Sequence, residues 1–393
     1  MKIAIVVHGR FHGFDLAREL LRLGHAVTLF TNYPRWAVER FDVPGERVQG
    51  FWAHGVLSRA SVKLPNQTRF ASAGEAFLHR LFGRWASAGL SRESWDVVHI
   101  WSGVAEETLY RMSRNCSTMT LLMRGSAHIR TQDRLLREEE ARTGTPQDRP
   151  SRWMIAREER EYAHADGVVT LSTFAYNSFL AEGVPRERLR LLPLGARLSM
   201  FRPMPAVVDE RCRRILSGAP LRVLYVGALS FQKGLWDLAA VVRTLGPQGY
   251  QFRLVGPRPR ESASLVAQLR NQASVSPSQP QAALPDVYAW GDVFVYPTIH
   301  DGYAMVLAQA AAAAVPILTT SNCSGPDLIR PGETGWIVPI RSPEQLVERL
   351  RWCGTHREEL AAMGERLYTR FQPRDWAAVA ADFERLCLDV PQR

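Results

Sequence analysis

Short apolar runs alternate with amphipathic helical stretches along the whole of this chain, and no other feature limits its fold more. The runs occupy residues 3–7, 27–31, 97–101, 120–123, 168–172 and 189–193 in the first half. In the second half they occupy 223–226, 252–255, 293–297, 317–319 and 336–338. Strand-length segments separated by helix-length ones pair in parallel through right-handed crossovers, so the fold class is α/β. At 393 residues the chain exceeds what one core organises, and two doubly wound, Rossmann-like domains are predicted. The break falls in the segment carrying Pro203, Pro205, Gly218 and Pro220, giving domains 1–205 and 206–372. Ligands of such sheets bind outside the carboxyl ends of the strands, so two facing sheets make an interdomain cleft.

Composition removes several function classes. Hydrophobic residues make up 46% and charged residues 22%, as in an ordinary globular protein. The first apolar run follows Met1-Lys2 too closely, and is too short, for a signal peptide, and is read as a buried strand. The weakly polar run 304–320 holds Gln309 and Pro316, which fits a buried helix followed by a strand better than a membrane span. Five scattered cysteines lack the paired spacing of a disulfide framework or a zinc site, which suits a reducing cytoplasm. The net charge of +10 invites a nucleic-acid reading, but there is no basic run interleaved with aromatics and no reader motif. An anionic nucleotide, the anionic face of a membrane, or a merely basic solvated surface remain as explanations.

The densest chemistry lies in residues 292–314. An apolar strand, Val293-Phe294-Val295-Tyr296-Pro297, runs through Asp301-Gly302-Tyr303-Ala304 into a helix starting at Met305. A glycine-containing turn that opens a helix aims unpaired N–H groups and the positive dipole end at one place, which suits a phosphate. Asp301 would repel that phosphate, so its expected task is to accept hydrogen bonds from neighbouring hydroxyls. A ligand carrying both groups is a sugar nucleotide. Upstream, Lys233 follows a strand and precedes a helix, between Gly227 and Gly234, where its ammonium meets a diphosphate as a point charge. Gly325, in Ser324-Gly325-Pro326-Asp327, opens another helix toward the same cleft.

The words themselves resemble a known family. Residues 301–310 and 315–317, Gly325-Pro326-Asp327-Leu328-Ile329, and residues 332–339 resemble the donor-binding half of the retaining GT-B glycosyltransferases of family 4. Residues 225–234 resemble its phosphate-lysine motif, and the likeness continues more loosely through 161–203. The resemblance implies two Rossmann-like domains facing across a cleft, with the last segment, 373–393, crossing back onto the first. It implies donor contacts from Gly9, Gly227, Lys233, Asp301, Gly302, Tyr303, Ala304, Met305, Gln309 and Gly325. It assigns catalytic roles to His128, Asp301 and Lys233, with His12 and His128 on the acceptor side.

Two departures stand out. Family members often carry an arginine where this chain has Ala228, and Arg258 is the expected substitute. The family also places two acidic residues eight apart, toward the sugar and the ribose; here the pair is Asp301 and Gln309. The amide keeps an acceptor oxygen and loses charge-assisted strength, at a cost on the order of 1 kcal/mol.

The expected activity is transfer of a sugar, with retention, from a nucleoside diphosphate sugar to a glycan, glycolipid or other hydroxyl. No aspartate-x-aspartate motif is present, so no metal or other cofactor is expected. A degenerate donor-binding or regulatory subunit is the first rival, and a GT-B epimerase or phosphorylase the second. A helical face carrying Phe77, Leu78, Leu81, Phe82 and Trp85, flanked by Arg80 and Arg84, suits either peripheral contact with an anionic inner membrane face or plain packing on the sheet.

Overall fold

The computed structural model describes residues 1–61, 69–113 and 117–388. Its first sheet comprises β1 (Lys2–Val7), β2 (Ala26–Thr31), β3 (Val48–Gly50), β4 (Val97–Trp101), β5 (Met119–Met123), β6 (Gly167–Thr170) and β7 (Leu189–Leu191). They lie in the order β3-β2-β1-β4-β5-β6-β7, all parallel. The second sheet comprises β8 (Leu221–Val226), β9 (Tyr250–Val255), β10 (Ala273–Ser276), β11 (Val293–Tyr296), β12 (Ile317–Thr320) and β13 (Gly335–Val338). Its order is β10-β9-β8-β11-β12-β13, again parallel. Both sheets are covered by helices on two faces, which is why their central strands read as unbroken apolar runs. In each, the strand order reverses beside the first strand, and that reversal opens a crevice above β1/β4 and above β8/β11.

Two strands escape the sequence pattern. β3 is three residues at an edge. β10 lies partly in the Ser-, Pro- and Gln-rich stretch 274–285, a composition poor in strand formers, which also holds a short helix starting at Leu284. Edge strands need one ladder only, and here pairing with β9 overrides local composition.

Contacts between the two halves are specific. The Trp376–Leu388 helix lays Trp376, Val379, Phe383, Leu386 and Cys387 into the core beside β1, against the Gly13–Arg22 helix. Arg341 donates to Glu138 and Glu139 at 2.8 and 2.9 Å and to Leu135 O, while Arg142 pairs with buried Asp237. Asp327 accepts from the Thr173 hydroxyl and backbone N–H.

The apolar face around Phe77 divides. Phe82 is fully buried, and Trp85 packs on Phe30, Phe51 and Phe82; Leu78 and Leu81 are half-buried, and Phe77 alone of the five is exposed, at 61%. A long helix beside a parallel sheet satisfies its apolar stripe there first. Residues 62–68, where that segment begins, lie outside the described residues. Among those described, no helix is long and apolar enough to cross a membrane.

Candidate functional site

The crevice of the second sheet is built by two loops, one after β8 and one after β11. They touch at Gly234, whose φ is +78° and whose Cβ, were there one, would sit 1.9 Å from Pro297 O. Only glycine permits both the turn and the approach. The contact brings Lys233 Nζ within 2.6 Å of Asp301 Oδ2, to which the Tyr296 hydroxyl also donates at 3.0 Å. Asp301 Oδ1 accepts from Tyr303 N–H at 3.3 Å and Ala304 N–H at 3.1 Å, in the turn that leads into the Met305–Ala312 helix. Burial would raise this carboxyl. Lys233, Tyr296 and the Ala304 amide outweigh it and hold the group below the usual aspartate range.

This arrangement differs from the sequence expectation. Lys233 and two amides of 302–305, assigned to phosphate, are bonded to Asp301, itself assigned to sugar hydroxyls. The physical reason is proximity: the carboxylate stands in the turn just ahead of the helix start, and the fold brings the ammonium onto it. Ala304 holds φ +60° and ψ 65°, a left-handed conformation that disfavours a Cβ. Gly302 is required for a different reason. A Cβ there would lie 1.9 Å from Gly125 O, so the loop after β5 in the first domain closes directly onto the turn.

The remaining expected residues fall into two groups. Gly227 (φ +153°) leaves room for Tyr296, and Met305 is half-buried beneath the cleft. Gln309 Oε1 accepts from the Tyr288 hydroxyl at 2.9 Å, so one of the lone pairs expected to meet a ribose is already used. Arg258 is exposed beside the 228–229 turn, where Leu229 N–H donates to Pro257 O. Tyr303 turns into the first-domain core, and burial pushes its hydroxyl up to about 12. The Gly325 amide donates to Cys323 Sγ, and its short helix is docked on Thr173 through Asp327. Gly9 (φ +119°) accepts from Thr31 at the end of β1.

The two histidines do not join Lys233 and Asp301. His128 caps the Ile129–Thr143 helix, its Nδ1 accepting from Arg130 N–H at 3.3 Å, and its ring lies 4.9 Å from both Tyr162 and Phe179. It lines a separate cavity of about 330 Å³ with Glu159 and Glu182, and burial brings its pKa down to about 4. His12 packs between Trp101 and Trp376, and burial brings its pKa to about 3. A loop leaving a carboxyl strand end can turn its side chains inward as well as over the cleft, and sequence does not distinguish the two. His99 is fully buried against Trp101 and Phe383.

Sequence reasoning missed three groups. Tyr296 orients Asp301. Arg124, paired with Glu158 at 3.0 Å and with Gln132, opens the loop that meets Gly302. His300 is 1% exposed, and neither ring nitrogen has a hydrogen-bond partner among the described residues. A lone histidine carries no spacing signal; only its place beside Asp301 marked it.

With this geometry in view, residues 14–195 match the family described as glycosyl transferase 4-like domain, and residues 220–355 match glycosyl transferases group 1. The chain belongs to the group 1 glycosyltransferases. The putative colanic acid biosynthesis glycosyltransferase WcaL of Escherichia coli K12 is 26% identical over 180 residues, 43% of this chain and 42% of that protein. The chain thus spans about half the length of the curated relatives it matches. Among solved structures, HepE of Anabaena in complex with UDP superposes with a TM-score of 0.68 at 13% identity, covering 99% of this chain and 100% of that one. Sucrose-phosphate synthase of Thermosynechococcus elongatus gives 0.72 at 18% identity, covering 98% and 97%. Both share the two-domain GT-B fold of this chain.

Proposed function

We propose that this glycosyltransferase moves a sugar from a nucleoside diphosphate sugar to a hydroxyl of a glycan or lipid-linked acceptor. One observation carries the reading: a lysine, a carboxylate and the positive end of a helix converge at the strand-order reversal of the second sheet. The donor diphosphate replaces Asp301 as partner of Lys233 and the helix-end amides, and Asp301 swings to the sugar hydroxyls. HepE, which shares this fold, was solved with UDP, and that supports a nucleotide as ligand.

The reaction retains configuration. Asp301, turned to the sugar hydroxyls, is not offered as a nucleophile, and in the front-face route that the family resemblance implies the acceptor oxygen attacks the face from which the diphosphate leaves. The acceptor O–C1 bond forms as the C1–O bond to phosphate breaks, and the acceptor proton passes to the departing phosphate oxygen. Lys233 and the helix-end N–H groups meet the leaving charge without a metal. The setting is cytoplasmic. Exposed Phe77, with Arg80 and Arg84 on the same helix, supports peripheral contact with an anionic inner membrane face.

A thermal-shift series with UDP, GDP, ADP and their sugars tests the donor assignment. One base raises the melting temperature by several degrees at a hundredfold excess over its dissociation constant. Silence from every nucleotide and nucleotide sugar refutes it.

A further inference from the structure

We propose that His300 is a sugar-contacting residue of the cleft, exchanging hydrogen bonds with hydroxyls of the transferred sugar and so helping to select it; this rests on the donor reading above. The residue lies between β11 and the Met305–Ala312 helix, next to Asp301, on the turn that Gly125 abuts from the first domain. Its charged neighbours come from both domains: Lys233 and Asp301 from the second, Arg124 from the first. The ring is therefore enclosed at the junction of the two halves, where donor and acceptor meet.

The ring's chemistry selects its ligand. Burial, then Lys233, lower its pKa to about 3, so at neutral pH one nitrogen donates and the other accepts. Both are buried without a partner, and each unmet polar atom is costly in a site closed to water. A phosphate only accepts; it satisfies the N–H and leaves the bare nitrogen orphaned. A sugar hydroxyl both donates and accepts, and two hydroxyls of one ring complement both nitrogens. The cation for the diphosphate is already present in Lys233, so His300 adds what it lacks.

The test uses the full chain with His300→Leu and His300→Gln, measuring affinity for UDP against UDP-glucose and GDP against GDP-mannose. Leucine fills similar space without orphaned nitrogens, so the ligand-free His300→Leu protein melts no lower than wild type. It binds the bare diphosphate within about twofold of wild type and the nucleotide sugar about tenfold more weakly. Glutamine keeps a donor and an acceptor; it restores part of the sugar affinity and alters the ranking of sugars. If His300→Leu binds nucleotide sugar as wild type does, the ring is packing and the inference is wrong. Equal loss for diphosphate and nucleotide sugar in both variants also overturns it. Should His300→Leu fail to fold, His300→Gln decides: unchanged sugar affinity and ranking sink the inference. Wild type that binds diphosphate, with no preference for any sugar form, overturns it while sparing the nucleotide assignment. No binding to any of the four ligands removes both.

Discussion

At the scale of single residues, the Lys233–Asp301 pair governs what the site does, because the lysine has one ammonium for two anions. Lys233→Ala removes the charge that faces diphosphate. Diphosphate affinity then falls by about 1.5 to 3 kcal/mol, the worth of a charge-assisted hydrogen bond, while free nucleoside is little affected. Equal loss for both ligands in titration calorimetry places the lysine elsewhere. Asp301→Asn acts in the opposite sense on the bare nucleotide. It frees Lys233 from its 2.6 Å partner, so diphosphate binds several-fold tighter as sugar turnover falls. Unchanged diphosphate affinity in that variant counts against competition between the carboxylate and phosphate. Ala304, at φ +60°, is held where its Cβ is strained. Ala304→Gly relieves about 1 kcal/mol of strain, offset in part by the greater freedom of glycine in the unfolded chain. Urea denaturation then shows equal or higher stability, and a drop beyond about 1 kcal/mol excludes strain at this turn.

At the scale of elements, the Met305–Ala312 helix couples the two ends of the donor site, with Asp301 in the turn before it and Gln309 eight residues further on, within it. The Tyr288 hydroxyl holds Gln309 Oε1. A glutamate there keeps that bond and adds charge, so Gln309→Glu preserves activity or tightens donor binding several-fold. Donor affinity and slow donor hydrolysis, measured side by side, decide between enzyme and degenerate binder. Binding that appears only in Gln309→Glu identifies the natural chain as the non-catalytic rival. The same elements show what a sequence reveals. β1, β4, β8 and β11 were legible because buried parallel strands are continuous apolar runs, and the loops after β8 and β11 were legible because phosphate chemistry demands glycine and lysine there. β3 and β10 were not, since edge pairing leaves little trace in composition. Where His128 points was not legible, because the direction in which a loop turns after its strand is a tertiary fact. Phe82 and Trp85 share a helical stripe with Phe77, and the stripe alone does not say which part the sheet covers.

At the scale of the molecule, the ion pairs between the halves and the enclosed histidines make stability depend on pH. His8, His12, His99 and His300 are each lowered to about 3, and His128 to about 4, with burial the largest cause in every case. In the unfolded chain these rings titrate near the ordinary imidazole value of 6.5 and in the folded chain far below it, so the folded state favours neutral rings. Their contribution is complete above pH 6.5 and is lost as pH falls from 6.5 toward 3. Each such group withdraws about 1.4 kcal/mol per pH unit across that window. Glu161, raised to about 8 chiefly by burial, works the other way, its contribution growing as pH falls from 8 to 4.5. Glu139, raised by burial although Arg341 and Arg142 face it, adds to that side in direction. His54 and His79 are lowered too and Glu261 is raised, so seven histidines outnumber three carboxyls; a typical domain has only about 5 to 15 kcal/mol in all, so stability falls steeply below pH 6.5. Urea titrations at pH 7.5, 6.5 and 5.5 measure it, with more than one net proton taken up on unfolding between the last two. A midpoint constant from pH 6.5 to 5.5 means that the rings are not enclosed in solution, and the cleft around His300 stands open. Nucleotide sugar present at saturation then distinguishes His300 from the others, because a ring already bonded to hydroxyls resists protonation further and moves the onset of unfolding to lower pH.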